Sequence, residues 1–224
     1  MPLFFFTVNA SSFSAVARLP GFPAGSYLDF IAPTAVFTAA FFPSQNVGIE
    51  LVLDITSGYF KKLMIMPIHP LAIILSRLSE AAVQSLIVAL PVFMLVLLLG
   101  GQVKTGVLGG LLIFGILIIF SMAWACFSLI AALLSQNPRL VQSMFMVAFP
   151  LLYLTTSQMP KELLPPLYAK LAFSNPFTYV LEAVRALMIH GWNSPAIWQG
   201  LVVSIVLFIV FLFLALASFR KVIK

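Results

Sequence analysis

The side chains able to do acid–base, nucleophilic or metal chemistry in this chain of 224 residues are six carboxylates, two histidines and one cysteine. Neither His69 nor His190 belongs to an HExxH pair, the helical spacing that lets two imidazoles share a metal. Cys126 lies in the apolar run Trp124-Ala125-Cys126-Phe127, so an intrachain disulfide and a cysteine metal cluster are both excluded and a small buried side chain is expected. Ser121, Ser128 and Ser204 also sit in apolar stretches, where serine packs helices together more often than it attacks a substrate. Glu80 is three residues from Arg77, the spacing of an internal ion pair. Glu50 and Asp54 are four apart, within reach of Lys61, Lys62 or Arg77. No GxxxxGK[ST] loop is present, so ATP is not bound in that manner by this chain. The residues give no catalytic, cofactor-binding or metal-binding constellation, and the chain reads as a non-enzyme.

The elements that carry these residues follow from composition. Hydrophobic residues make up 62% of the chain, charged residues 8%, and the mean hydropathy is +1.13; no water-soluble surface can be built from that. The net charge of +6 is scattered beside apolar segments, which marks membrane flanks and argues against nucleic acid as a partner. Four apolar segments, residues 81–99, 107–134, 140–159 and 197–219, are each long enough to cross a membrane. A fifth, 30–53, is interrupted by Pro33, Pro43, Ser44, Gln45, Asn46 and Glu50, which a span tolerates where neighbours or a water-lined cavity satisfy it. The expected fold is all-α: a polytopic transmembrane bundle of five complete spans forming one domain over residues 1–224. Residues 1–8 lack the basic region of a signal peptide and are read as the remnant of a further span.

Orientation follows from the basic residues. Lys61 and Lys62, Arg139, and Arg220, Lys221 and Lys224 share one side of a five-span arrangement, and by the positive-inside rule that side, with the C-terminus, is cytoplasmic. His69 and His190 then fall on opposite sides.

Two connections are more than loops. Between residues 54 and 70, Tyr59, Phe60, Leu63, Met64 and Met66 fall near one helical face and Lys61 and Lys62 towards the other. This spacing predicts a short amphipathic helix at the membrane surface, turned out of the preceding span at Gly58 and ended by Pro67 and Pro70. It is either an interfacial anchor or a docking element for a partner. Between residues 160 and 195, Asn175 can cap a helix with Pro176 at its first position. Phe177, Val180, Leu181, Val184, Leu187 and Met188 form its apolar face, and Glu182 and Arg185 sit three apart. This helix is expected to dip into the outer leaflet without crossing, as a cap over the bundle or as a gate.

With these segments placed, the chain resembles the type-2 ABC exporter permeases, in particular the bacterial drug-resistance branch typified by daunorubicin exporters. The resemblance is carried by Tyr27-Leu28-Asp29-Phe30-Ile31-Ala32-Pro33, by Asp54, Gly58, Lys61-Lys62 and Pro67, and by Asn175-Pro176-Phe177-Thr178-Tyr179 followed by Ala183-Val184-Arg185. It implies a subunit of the bacterial inner membrane that exports drugs, lipids or polysaccharide precursors as a homo- or heterodimer. ATP and magnesium would be held by separate ATP-binding cassette subunits. Carried over by residue, Asp54, Gly58, Tyr59, Phe60, Lys61, Lys62 and Pro67 would couple the chain to its ATPase partner. Asn175, Pro176, Glu182 and Arg185 would belong to a re-entrant exit region. The family's N-terminal cytoplasmic helix and most of its first span have no counterpart here, and Thr34 stands where the family has a glycine. The rival readings are a carrier or channel that needs no ATPase, and a membrane scaffold.

Overall fold

The computed structural model describes residues 27–66, 70–160 and 163–223. Among them every regular element is helical. Helix α1 (Tyr27–Phe41) runs through a 3-10 turn (Phe42–Gln45) into α2 (Asn46–Thr56). Then come α3 (Tyr59–Ile65), α4 (Pro70–Leu98), α5 (Gly106–Ser135), α6 (Pro138–Tyr153), α7 (Pro166–Phe173) and α8 (Pro176–Arg185). A π-helical turn, Ala186–His190, follows α8, and α9 (Ala196–Ile223) closes the chain. Four stretches, Tyr27–Thr56, Leu71–Leu98, Gly106–Ser135 and Ala196–Arg220, are long and apolar enough to cross a membrane. Their outer faces carry side chains that water would reject: Phe213 on α9 is 71% exposed. The fold is a transmembrane helix bundle.

The segment 140–159, expected as a fifth complete span, is shorter. Helix α6 stops at Tyr153 after 16 residues, about 24 Å at 1.5 Å per residue against a hydrocarbon core of about 30 Å. Pro150 has no N–H to donate. Beyond it the Thr155 and Ser157 hydroxyls donate to the Leu152 carbonyl at 2.6 and 3.3 Å, local bonds that compete with the helical ladder. A second difference lies at Pro70, which opens α4 and does not close the preceding helix; proline is favoured at a first helical position because its missing N–H would be unpaired there anyway.

Lipid tails are as apolar as leucine, so packing and cross-helix hydrogen bonds hold such bundles together. The break at Pro43 is served in this way by α5. Ser121 Oγ donates to the Ala40 carbonyl at 2.9 Å and Ser128 Oγ to the Gln45 carbonyl at 2.8 Å, so both serines pack helices as expected, while Ser204 bonds Gly200 within its own helix. The centre is a knot of rings from three helices. Phe177 of α8 lies 5.1 Å from Phe41 of α1, and 5.0 and 5.3 Å from Phe120 and Trp124 of α5. A second cluster, with Leu51, Leu78, Leu129 and Phe219, occupies the α3 end.

Close approach of α2 and α5 depends on Gly48, where a Cβ would fall 2.1 Å from Ser128 Oγ and 2.6 Å from its carbonyl oxygen. Gly48→Ala is expected to destabilise the bundle by about 1–3 kcal/mol through overpacking. A thermal unfolding scan in detergent checks this.

Candidate functional site

At one end of the bundle the chain leaves α2 through Gly58, whose φ of 77° lies in the left-handed region that favours glycine. Helix α3 follows. The single apolar face expected for it divides in two. Phe60, 5% exposed, turns inward and meets the Phe219 ring of α9 at 5.6 Å and 71°; Leu63 and Met64 are half-buried beside it. These three share one stripe at positions i, i+3 and i+4, whereas Tyr59 and Met66 lie at its edges and are exposed, together with Lys61, Lys62 and Ile65. Met66 is extended (ψ 148°), as the residue before a proline is pushed to be. Pro67 and His69 lie outside the described residues, as do residues 1–8. Asp54, half-buried at the end of α2, pairs with Arg77 of α4, so of the cations within its sequence reach it takes Arg77. Arg77 also pairs with Glu80, as its spacing predicted, at 2.8 Å, and reaches Glu50 at 3.6 Å.

At the other end, Asn175 caps α8 by accepting the Phe177 N–H at 3.0 Å, with Pro176 first in the helix. The sequence placed α8 as a helix dipping into the outer leaflet, as a cap over the bundle or as a gate. It packs among α1, α5 and α9, and all six residues of the predicted apolar face are buried. The reason is that α6 ends early and leaves carbonyls without helical donors, which the membrane does not tolerate. Asn175 Nδ2 donates to two of them, at Leu151 and Leu154. Arg185, only 3% exposed, supplies the next: Nη2 donates to the Thr156 carbonyl at 2.8 Å and Nη1 to Thr156 Oγ1 at 3.0 Å. Glu182 completes the cluster by accepting from both Arg185 and Thr156 Oγ1. The guanidinium carbon stands 4.2 Å from the Phe30 ring centre, a cation–π distance, and Thr34 Oγ1 of α1 donates to the Ser157 carbonyl at 3.3 Å.

A third feature was not assigned from sequence. A groove of about 500 Å³ lies between α2 and α6, lined by Phe42, Gln45, Asn46, Ile49, Gln142 and Met146, with Ser143 and Arg139 beside them. Gln45 is 7% exposed and its Nε2 has no hydrogen-bond partner among the described residues, so among them an amide donor stands unused at an apolar wall. The signal in the sequence was the polar pair Gln45-Asn46 in one apolar segment and Gln142-Ser143 in another, two interruptions that only the tertiary fold brings together.

The sequence profile described as ABC-2 type transporter matches residues 1–189. The chain belongs to that family. The resemblance read from residues 27–33, 54–67 and 175–185 is thereby borne out. Among the relatives of this ABC-2 type transporter is a putative transport permease, ycf38, of Cyanophora paradoxa, 26% identical over 89% of this chain and 72% of the relative. A daunorubicin resistance ABC transporter permease protein, DrrB1, of Streptomyces coeruleorubidus is 26% identical over 80% of this chain and 63% of its own length. A probable doxorubicin resistance ABC transporter permease protein, DrrC, of Mycobacterium tuberculosis is 22% identical over 85% and 68% respectively. The chain is thus a membrane protein whose relatives carry the names of transport permeases, and both helix α3 and helix α8 lie within the matched residues.

Proposed function

We propose that this ABC-2 type transporter is the permease subunit of an exporter in the bacterial inner membrane, driven by ATP hydrolysed on a separate ATP-binding cassette subunit docked against α3. The α3 end, with Arg139 and the basic C-terminus, faces the cytoplasm. The observation that carries the reading is the double seating of α9. Its Phe219 grips Phe60 of α3, while its Gly200 is so close to α8 that a Cβ would fall 2.4 Å from the Ala183 Cβ and 2.6 Å from the Tyr179 carbonyl. One rigid helix therefore touches both the docking element and the buried re-entrant helix, and displacement of the first is felt at the second. Helix α8, with Asn175, Pro176, Glu182 and Arg185, gates the exit.

The groove between α2 and α6 is the substrate's path, completed by a second permease subunit packed over exposed Leu140, Met146 and Val147. Its apolar walls and unused Gln45 donor suit a hydrophobic or amphipathic molecule that carries acceptor oxygens. The drug names borne by two relatives are consistent with that class. Doxorubicin serves as the probe. In proteoliposomes holding the permease and its ATPase, ATP is expected to drive doxorubicin movement. Gln45→Leu should raise the half-saturating concentration about fivefold, the worth of one hydrogen bond of about 1 kcal/mol. Movement by the permease alone, without ATP, would favour an autonomous carrier.

A further inference from the structure

Three carboxylates converge on Arg77, and they come from both sides of the α3 connection. Glu50 and Asp54 belong to the last turns of α2, before Gly58 and α3; Glu80 belongs to α4, after it. The side chains concerned are partly buried, with Arg77 19% and Asp54 23% exposed, so they are screened less than a surface pair would be. Beside them lies a cavity of about 280 Å³ lined by Asp54, Tyr59, Phe60, Leu63, Ser76 and Arg77, so α3 is not packed solidly against α4 at this point. It is held instead by the Phe60 ring on Phe219 and Met64 against the same apolar cluster, and by the Asp54 end of α2, from which α3 hangs through Gly58.

We propose that Arg77 is a positioning residue that clamps the base of the first span to α4 and so holds α3 at a fixed attitude to the bundle. With the guanidinium present, each acid has a cation to share. Without it, Glu50 and Asp54 lose the cation that ties both of them, and with them the base of α2, to α4. The base of α2 then moves away from α4 and carries α3 with it. Lysine keeps the charge but not the planar fork that reaches several carboxylates at once, so Arg77→Lys restores the attitude in part.

The direct test uses the full chain in lipid vesicles, with Cys126 replaced by alanine and a nitroxide attached at Ile65→Cys on α3 or, as control, at Ile87→Cys on the lipid face of α4. Arg77→Met is expected to raise the nanosecond mobility of the label at 65 and leave that at 87 unchanged, with Arg77→Lys intermediate. Unchanged mobility at 65, or equal loosening at both positions, overturns the clamp. A second arm rests on the exporter reading. With the co-purified ATPase subunit, Arg77→Met is expected to lower the doxorubicin moved per ATP hydrolysed about tenfold, within the range of mutations in coupling networks. If the unsubstituted protein shows no ATP-driven movement the exporter reading fails, while the label mobilities still judge the clamp.

Discussion

Replacing Arg185 with methionine is expected to cost the bundle about 3–5 kcal/mol, the penalty for removing one partner of a buried ion pair. Three losses combine. Glu182 keeps its charge without a cation, the Thr156 carbonyl beyond the end of α6 loses its donor, and the contact with the Phe30 face disappears. The double variant Glu182→Gln with Arg185→Met removes the unpaired charge but leaves the carbonyl unserved. It should therefore recover much of the loss and still fall about 1–3 kcal/mol short. Cys126, fully buried and the chain's one cysteine, supplies the readout: a thiol-reactive dye reports unfolding in detergent as the temperature rises. A single variant as stable as the parent would mean that the cluster does not hold α8 to the end of α6.

The second large effect is at α3 and is of the opposite kind. Lys61 and Lys62 are exposed and pair with no acid among the described residues, so Lys61→Glu with Lys62→Glu should leave insertion and thermal stability unchanged. Facing a partner they reverse two charges at once. Binding of the ATPase subunit is expected to weaken at least about tenfold, since like charges brought together at an interface cost several kcal/mol. Phe60→Pro tests the other face of the same helix. It withdraws the ring from Phe219 and pushes Tyr59, the residue before the new proline, out of helical geometry at the start of α3, so transport should be lost while the spans still insert. If the lysine reversal abolished insertion, α3 would be a membrane anchor first; if transport survived both changes, α3 would not be the coupling element.

The four long spans were legible in the sequence because hydropathy over about 20 residues is a sum that tolerates local irregularity. The Asn175-Pro176 cap was legible because one side chain and one ring determine it locally. The early end of α6 was not: Leu151 and Leu152 are as apolar as any residue of a span, and the donors that serve the freed carbonyls, on Asn175 and Arg185, are distant in sequence. The depth of α8 depends on the same exchange, and a face pattern alone does not distinguish a leaflet from the interior of a bundle. Arg77 shows the remaining limit. Its spacing to Glu80 was local and readable, whereas the choice of Arg77 over Lys61 and Lys62 as the partner of Asp54 and Glu50 required the base of α2 to be brought beside α4. The groove was hidden for the same reason, since its polar residues sit about a hundred positions apart on two helices.

The most direct test of the account is purification of the tagged full chain from its native membrane in mild detergent, with mass spectrometry of the proteins that accompany it. The account predicts an ATP-binding cassette subunit at stoichiometric level, lost from the Lys61→Glu, Lys62→Glu variant while that variant remains folded. A folded chain that carries no ATP-binding partner, or one whose partner is indifferent to the two lysines, would contradict it.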